Sequence, residues 1–261
     1  MTASETKEEF NLRYNNALEG APGLDTFEIS SYLTIAQEQF VKLMFDASKD
    51  PANSFELHER ARRSLNELVV NEKVTLPVAS ARGLVDESVF YEIGAGGGGI
   101  QAAEVRTLMY IVLETVRIDV KLGNNEEFNY SNRVIPVLPT THDEFMINYR
   151  NPFRKPNNNK VWRVDLSKEN SKTTVELVAT VPIKEYNVRY IAYPFPIIVE
   201  NLSTAEDTAG LGLSINGKVA QAACQLNEAA QREIINIAVE NAVLDYRDGT
   251  LQSRMSLDAR V

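Results

Sequence analysis

The chain has 261 residues, of which 44% are apolar and 24% charged, and its 27 basic and 36 acidic side chains give a formal net charge of −9. These values are ordinary for a folded globular protein of one large or two small domains, with enough chain to bury a sizeable core. The acidic balance argues against general binding to nucleic-acid phosphates, which requires a basic excess or a basic stripe.

The number of cysteines and the hydropathy of the chain bear on whether the protein is secreted or embedded in a membrane. The only cysteine is Cys224, so an intramolecular disulfide is excluded and a small buried apolar role is favoured over a reactive thiol. The N-terminus is polar and lacks an apolar run of signal-peptide length. No window reaches the ~20 apolar residues of a membrane helix. We therefore expect neither a secretion signal nor a membrane span.

Three helices are predicted near the N-terminus. The first begins with the capping-box spacing of Thr2 and Glu5, and the second begins with the same spacing at Asp25 and Glu28. A third is predicted over about 53–72, and its charged side is most simply a solvated face. The apolar side of this third helix comprises Leu57, Ala61, Leu65 and Leu68.

The middle of the chain carries β-type patterns. The strongest is 108–122, whose second half alternates apolar and charged residues, so one face of that strand is expected to be buried and the other solvated. Segments 161–166 and 174–181 alternate likewise around a polar turn and predict a hairpin. The remaining predicted strands are 74–78, 88–93, 187–193 and 197–199.

The C-terminal region returns to a helical pattern that starts at Asn227, a typical N-cap residue. Its apolar arc is wide, so we expect it to pack against several N-terminal helices. The predicted fold class is α+β, with a helical bundle formed by residues 1–73 plus 221–247 and a mainly antiparallel β-sheet or sandwich domain at 74–220. The last segment, 248–261, has no periodicity and is predicted to be an extended tail.

A glycine run at 94–99 formally matches the dinucleotide-binding pattern G-x-G-x-x-G, and Asp119 follows at a suitable distance. That fingerprint requires a helix to begin in the glycine turn, whereas here a β-type segment follows. The favoured interpretation is a hairpin loop. A contact loop in an assembly and a nucleotide site are the alternatives.

The sequence TTHDEF places His142 beside two carboxylates, which suggests acid–base chemistry or a metal site. However, Thr141 and Glu144 have capping-box spacing, so the same residues predict the start of a short helix over 142–149. The other histidine, His58, lies far away in sequence and lacks a second ligand at helical spacing. No catalytic or P-loop motif is present, so we expect no enzyme activity, no cofactor and no metal.

The basic segment 150–163 is the best candidate for a site. It can be a solvated turn, a nucleic-acid site in which Phe153 or Trp162 stacks on bases, or a protein–protein contact, in which arginine and aromatic residues are typical. The contact is favoured, with Phe153, Arg154, Lys155 and Trp162 as predicted subunit-interface residues. The five cations of the segment are Arg150, Arg154, Lys155, Lys160 and Arg163.

Several stretches in a fixed order resemble the structural ring or connector proteins of the neck and tail of crAss-like bacteriophages. They are APGLD, YLTIAQEQFVK, VLPTTHDEF, NPFRKPN, WRVDLS, VRYIAYPFPIIVENL, LSING and CQLNEAAQREIINIAVENAV. Together they touch most of the chain from residue 10 to residue 245, while segment 93–107 departs from the pattern.

The resemblance implies a structural virion component, assembled in the host bacterial cytoplasm, rather than an enzyme. It implies a homo-oligomeric ring, expected to be twelvefold like a portal, which stacks with the portal and with other neck and tail rings. DNA would pass through its lumen without specific binding, and an acidic lumen wall would let the DNA slide. The alternative from the residues themselves is a nucleic-acid-binding module that uses segment 150–163.

Overall fold

The computed structural model describes residues 1–18, 23–46, 59–75, 77, 83–85, 88–94, 108–120, 131–157, 159–169, 172–208 and 210–258. The fold is α+β, as predicted, and the chain divides into two compact units. The helical unit combines Met1–Leu68 with Pro194–Val261, and the β-rich unit is Val69–Tyr193. The sequence patterns had put these divisions near residues 73 and 220.

Five α-helices and seven strands lie in the described part of the chain. The helices are α1 (Ala3–Ala17), α2 (Thr26–Asp46), α3 (Glu59–Leu65, followed by a 3-10 turn at Asn66–Leu68), α4 (His142–Asn148) and α5 (Glu228–Asp258). The strands are β1 (Val69–Val74), β2 (Val89–Ile93), β3 (Leu108–Val120), β4 (Ser131–Pro139), β5 (Val161–Glu169), β6 (Lys172–Val178) and β7 (Ile183–Ala192).

The predicted starts of α1, α2 and α5 are confirmed by their hydrogen bonds, while the start predicted near residue 53 lies outside the described residues. Thr2 and Glu5 form a reciprocal capping box at α1, and the side chains of Asp25 and Glu28 each accept the other's backbone N–H at α2. The Asn227 side chain accepts the N–H of Ala230 at 2.9 Å. Each cap satisfies N–H groups that the first helical turn leaves without partners.

The core of the helical unit forms where α1 and α2 pack against α5. The irregular chain after Pro194 joins this unit because α2 satisfies its backbone: the Ile197 N–H donates to the Thr34 hydroxyl at 3.1 Å, and the Val199 N–H donates to the Ser30 hydroxyl at 3.2 Å. This is why the unit takes in residues 194–220. Its buried core includes Phe10, Tyr14, Ile29, Leu33, Phe40, Ile234, Ile235 and Ala238.

Two sequence expectations for the helices are corrected. The third helix ends earlier than predicted, because Val69 and the next five residues form β1 and pair with β7. Long-range pairing of the β-branched Val69 and Val70 outweighs continuation of the helix. At the other end, α5 continues to Asp258 where an extended tail was predicted. The tail lacks periodicity but is rich in good helix formers, and one interior glycine costs only about 1 kcal/mol.

The β-rich unit is one mixed sheet with the order β1-β7-β3-β4-β5-β6-β2. All neighbours are antiparallel except β4 and β5, so the unit is a single sheet of mainly antiparallel strands and not a sandwich. The two edge strands approach each other where the Gly94 N–H donates to the Glu72 carboxylate at 2.9 Å, so the sheet is nearly closed into a barrel. Its inner face holds a core that includes Tyr91, Val116, Ile118, Ile135, Val161, Leu177 and Tyr190.

The predicted hairpin of β5 and β6 is confirmed, and strands are also found at the sites predicted for β2, β3 and β7. Strand β1 lies five residues before the predicted run at 74–78. Strand β4 is absent from the predicted strands, and it contains Pro136, a residue that is normally confined to edge strands and bulges. The structure accommodates Pro136 opposite Thr115 of β3, since pairing with β5 begins only at Val137.

Candidate subunit-interface site

The candidate site lies on the connection between β4 and β5. Parallel neighbours require a crossover instead of a tight turn, and here α4 and the loop at 149–160 supply it. The crossover packs α4 against the outer face of β5 and β6 through Phe145. The loop is therefore a consequence of the one parallel pairing in the sheet.

The start of α4 accounts for the residues that suggested acid–base chemistry. The Thr141 hydroxyl accepts the Glu144 N–H at 3.3 Å, and the Glu144 carboxylate accepts the Thr141 N–H at 3.4 Å. His142 is the first helical residue and its side chain is exposed. The predicted helix start is confirmed, and within the described ranges no group of three His, Cys, Asp or Glu side chains is arranged to hold a metal ion.

Trp162 is an internal anchor. Only 5% of it is exposed, and it packs in a small cluster with Phe145, Val164 and Val178. The Phe145 and Trp162 rings meet edge to face with their centroids 6.0 Å apart, a favourable aromatic geometry. The predicted contact residue Trp162 therefore lies beneath the crossover, where it fixes α4 to the sheet and does not present its ring to solvent.

The outer side of the crossover is apolar and exposed. Phe153 is 90% exposed and Ile147 is 73% exposed, and Met146 on the same helix is also mostly exposed. Tyr149 stacks on Phe145 with 5.0 Å between ring centroids, which links the exposed side to the buried cluster. The exposed apolar and aromatic side chains of α4 and its loop therefore fall within the short segment 146–153, which makes this segment a candidate contact.

Asparagine side chains hold the loop in one conformation. The Asn151 side chain accepts the Phe153 N–H at 3.0 Å, and the Asn151 carbonyl accepts the N–H groups of Arg154 and Lys155 at 3.1 and 3.0 Å. The Arg154 guanidinium donates to the Asn148 side chain at 3.0 Å. Phe153 is thus displayed on a backbone whose hydrogen bonds are made within the loop.

Three of the five predicted cations are exposed: Arg150, Arg154 and Lys155. The Lys160 ammonium donates to the Arg154 carbonyl and lies 5.9 Å from the centroid of the Trp162 ring. Arg163 points to the inner face of the sheet, where its guanidinium meets the Glu114 carboxylate at 2.6 Å. The surface charge of the segment is therefore smaller than its sequence indicates.

The ion pair of Arg163 belongs to a buried polar network. Tyr186 donates its hydroxyl to the Glu114 carboxylate, and Asp165 also contacts the Arg163 guanidinium. Burial alone lowers the pKa of Arg163, but Glu114 and then Asp165 raise it above its ordinary value. Burial, and then Glu114, raise the pKa of Tyr186 well above its ordinary value. Arg163 stays charged and Tyr186 stays a donor, which suits a structural role.

The other sequence features do not join this site. Gly94 has a positive φ of 88°, which favours glycine, while 95–99 of the glycine run and His58 lie outside the described residues. Asp119 lies on β3 opposite Asn132. Cys224 is half-buried, and burial raises the pKa of its thiol to about 11.

Sequence reasoning missed Met146 and Ile147, which extend the exposed apolar surface beyond Phe153. The signal was present, since both follow the buried Phe145 on a helix of 3.6-residue period and so turn away from the sheet. In the part of the chain that the structure describes, no helix is both long and apolar enough to cross a membrane.

Two comparisons with known proteins agree with this picture. The family model described as phage tail ring protein 3/4 matches residues 1–254. Ring protein 3 of Bacteroides phage crAss001 is 31% identical over 223 residues, which cover 85% of each chain. Ring protein 4/5 of the same phage is 28% identical over 263 residues, which cover 100% of this chain and 99% of that protein.

Proposed function

This chain belongs to the phage tail ring protein 3/4 family, and on that premise we propose that it is a structural subunit of a homo-oligomeric ring in the portal–neck–tail connector of the virion. The observation that carries the proposal is the crossover loop. It presents Phe153, 90% exposed, between Arg150 and the pair Arg154 and Lys155. Aromatic and arginine side chains dominate the energetics of interfaces.

The internal order of the loop suits a contact that is made many times. Its turn is closed by Asn151, and Arg154 is oriented by Asn148, so little conformational freedom remains to be lost on docking. A closed ring requires each subunit to join two neighbours through two different surfaces. The loop supplies one of these surfaces.

The ring is expected to be twelvefold, to stack with the portal and other ring proteins, and to reach the virion after assembly in the host cytoplasm. DNA would pass through the lumen without specific binding, which the net charge of −9 favours because a basic wall would hold the phosphates. A lumen lined by arginine and lysine contradicts this part of the proposal. No catalytic role is assigned.

The experiment compares oligomer formation by wild type, Phe153→Ala and Arg154→Glu. Mass photometry measures the oligomer for the protein alone and with its neighbouring virion proteins, since some ring subunits assemble only on a template. Phe153→Ala removes an aromatic contact worth about 2 kcal/mol if it is central to the interface. The dissociation constant of each subunit contact should then rise about 30-fold. Both variants should remain folded, because Phe153 and Arg154 are exposed.

Matched controls use exposed residues on the strands. Leu113→Ala on β3 and Arg133→Glu on β4 remove an apolar side chain and reverse a charge away from the loop, and both should leave assembly unchanged. Normal rings from both loop variants contradict the proposed contact. Unfolding of either loop variant shows that the loop belongs to the core.

A nucleic-acid-binding module is the second candidate, since an exposed aromatic ring beside three exposed cations is also how single strands are bound. Two features weaken it. Trp162 is buried, and Arg163 is neutralised by Glu114. Salt-dependent binding of DNA that is lost on Arg154→Glu and Lys155→Glu would favour this candidate.

A further inference from the structure

The helical unit carries a groove that no part of the proposed function uses. It lies between the N-terminal turns of α1 and the first turns of α5 and has a volume of about 470 Å³. That volume is in the range of clefts that hold ligands of several hundred daltons, so it admits an aromatic side chain and its neighbours. The groove is lined by Met1, Glu5, Glu8, Glu9, Leu12, Glu228 and Arg232.

Both apolar and acidic groups face this groove. Leu12 is 62% exposed although it lies on a helix whose other side is buried. Glu228 is paired with Arg232 at 2.7 Å, and Glu9 is paired with Arg13. Glu5 and Glu8 line the groove without a cation partner among the described residues, so the lining as a whole is negative.

The crossover loop of the β-rich unit has the complementary composition. It displays one apolar ring, Phe153, and the exposed cations Arg150, Arg154 and Lys155 lie within three residues of it in the sequence. An exposed aromatic ring flanked in sequence by cations is complementary to a groove that contains Leu12 and an excess of carboxylates, and such complementarity governs specificity and orientation at interfaces.

We propose that the groove between α1 and α5 receives the Phe153 loop of a second copy of this chain, with Phe153 against Leu12 and with Arg154 and Lys155 facing Glu5 and Glu8. This rests on the proposed function, in which the loop is a subunit contact. The loop and the groove are different surfaces, so each subunit offers a loop to one neighbour and a groove to the other. That is the heterologous contact from which rings are built.

Cysteine cross-linking tests the proximity directly. One chain carries a cysteine at the exposed neighbour of the ring, Pro152→Cys, which leaves Phe153 in place, and a second, size-tagged chain carries Leu12→Cys; the two are mixed before assembly. A disulfide between these sites can then only join two chains, and it requires Cα atoms within about 7 Å. The expected product is a mixed dimer on a non-reducing gel, formed only when both variants are present. Each variant assembled alone is the control for the native Cys224.

A charge exchange tests the electrostatic half of the proposal. Lys155→Glu and Glu8→Lys are each expected to weaken ring assembly at least tenfold, because each brings like charges together. The double variant Lys155→Glu with Glu8→Lys restores assembly to within a few-fold of wild type. Lys155→Glu with Glu206→Lys, which reverses an exposed acid elsewhere on the helical unit, should not restore it.

The outcomes separate this proposal from the one on which it rests. If loop variants impair assembly but the mixed dimer and the charge rescue both fail, the loop is a contact and the groove is not its partner. If Leu12→Cys cross-links to a different virion protein instead, the groove serves that protein and the proposal is overturned. If loop variants assemble normally, the proposed loop contact and this inference both fail.

Discussion

The buried ion pair of Arg163 and Glu114 allows a stability prediction with a defined size. Their closest atoms are 2.6 Å apart, and both side chains are at most 10% exposed. The Coulomb attraction is about 6 kcal/mol at an effective dielectric constant of about 20, and much of it offsets the cost of removing both charges from water. Arg163→Met keeps the length of the side chain but leaves the Glu114 carboxylate buried without its cation.

We expect Arg163→Met to lower the free energy of unfolding by about 3–5 kcal/mol, the usual cost of leaving one charge of a buried pair uncompensated. That is a large share of the ~5–15 kcal/mol by which domains are stable. Adding Glu114→Gln removes the stranded charge and preserves an acceptor for Tyr186, which donates its hydroxyl to that side chain. The double variant should therefore recover most of the loss.

Tryptophan fluorescence can measure this change in stability. Trp162 is the only tryptophan and is buried beside the ion pair on β5, so its emission reports urea unfolding of the β-rich unit. Lys155→Met, which removes an exposed cation from the loop before β5, is the control and should change stability by no more than about 0.5 kcal/mol. The reasoning fails if Arg163→Met costs less than about 1 kcal/mol, or if the double variant is as unstable as the single one.

Two further predictions follow from perturbed groups in the helical unit. Burial raises the pKa of Cys224 to about 11, so its thiolate fraction at pH 8 is ~10⁻³, against ~0.2 for a free thiol. Alkylation by iodoacetamide, measured by mass spectrometry, should therefore be about 100-fold slower in the folded than in the urea-unfolded protein. Equal rates contradict the burial of the thiol. Burial alone raises the pKa of Asp207, but two other groups lower it below its usual value: the N–H of Thr26, which donates to the carboxylate at 2.6 Å, and then nearby Lys7. The stability that the ionised carboxylate contributes is therefore present above about pH 4. It is lost as the pH falls through the lowered pKa. The melting temperature of Asp207→Asn should accordingly fall less than that of wild type between pH 5 and pH 3, and parallel curves would contradict the linkage.

Helix starts were predictable from the sequence because a cap is a local interaction. Thr2, Asp25, Thr141 and Asn227 each accept the N–H of the residue three positions further on, so the spacing of residue types suffices to locate them. The hairpin of β5 and β6 was predictable for the same reason, since its pairing spans only a short turn.

The burial of both faces of a strand was not predictable from the sequence, because it depends on which elements cover the sheet. In β5, Val161 and Arg163 face the barrel interior while Trp162 and Val164 face outwards. A period of two is normally interpreted as one solvated face, but α4 and Val85 cover the outer face here. Arg163 therefore looked like a surface cation, and Trp162 like a contact residue, although both are buried.

Distant pairing accounts for the rest of the missed structure. The parallel pairing of β4 and β5 joins Val137 to Val161 across 24 positions of sequence, and no local pattern identifies it. Without that pairing the segment between the strands looks like a free loop. With it, the segment becomes a crossover whose position is fixed by Phe145 and whose other apolar side chains, among them Met146, Ile147 and Phe153, are exposed.

The geometry of the crossover favours assembly over catalysis. A catalytic group requires a concave site that excludes water, whereas His142 is exposed at the start of α4 and Phe153 is 90% exposed. An exposed aromatic side chain lowers solubility. Asn148 and Asn151 nevertheless hold the Phe153 loop in one conformation, which brings no benefit to an isolated monomer. In the proposed ring a neighbouring copy covers Phe153, and each copy of the chain both makes and receives that contact.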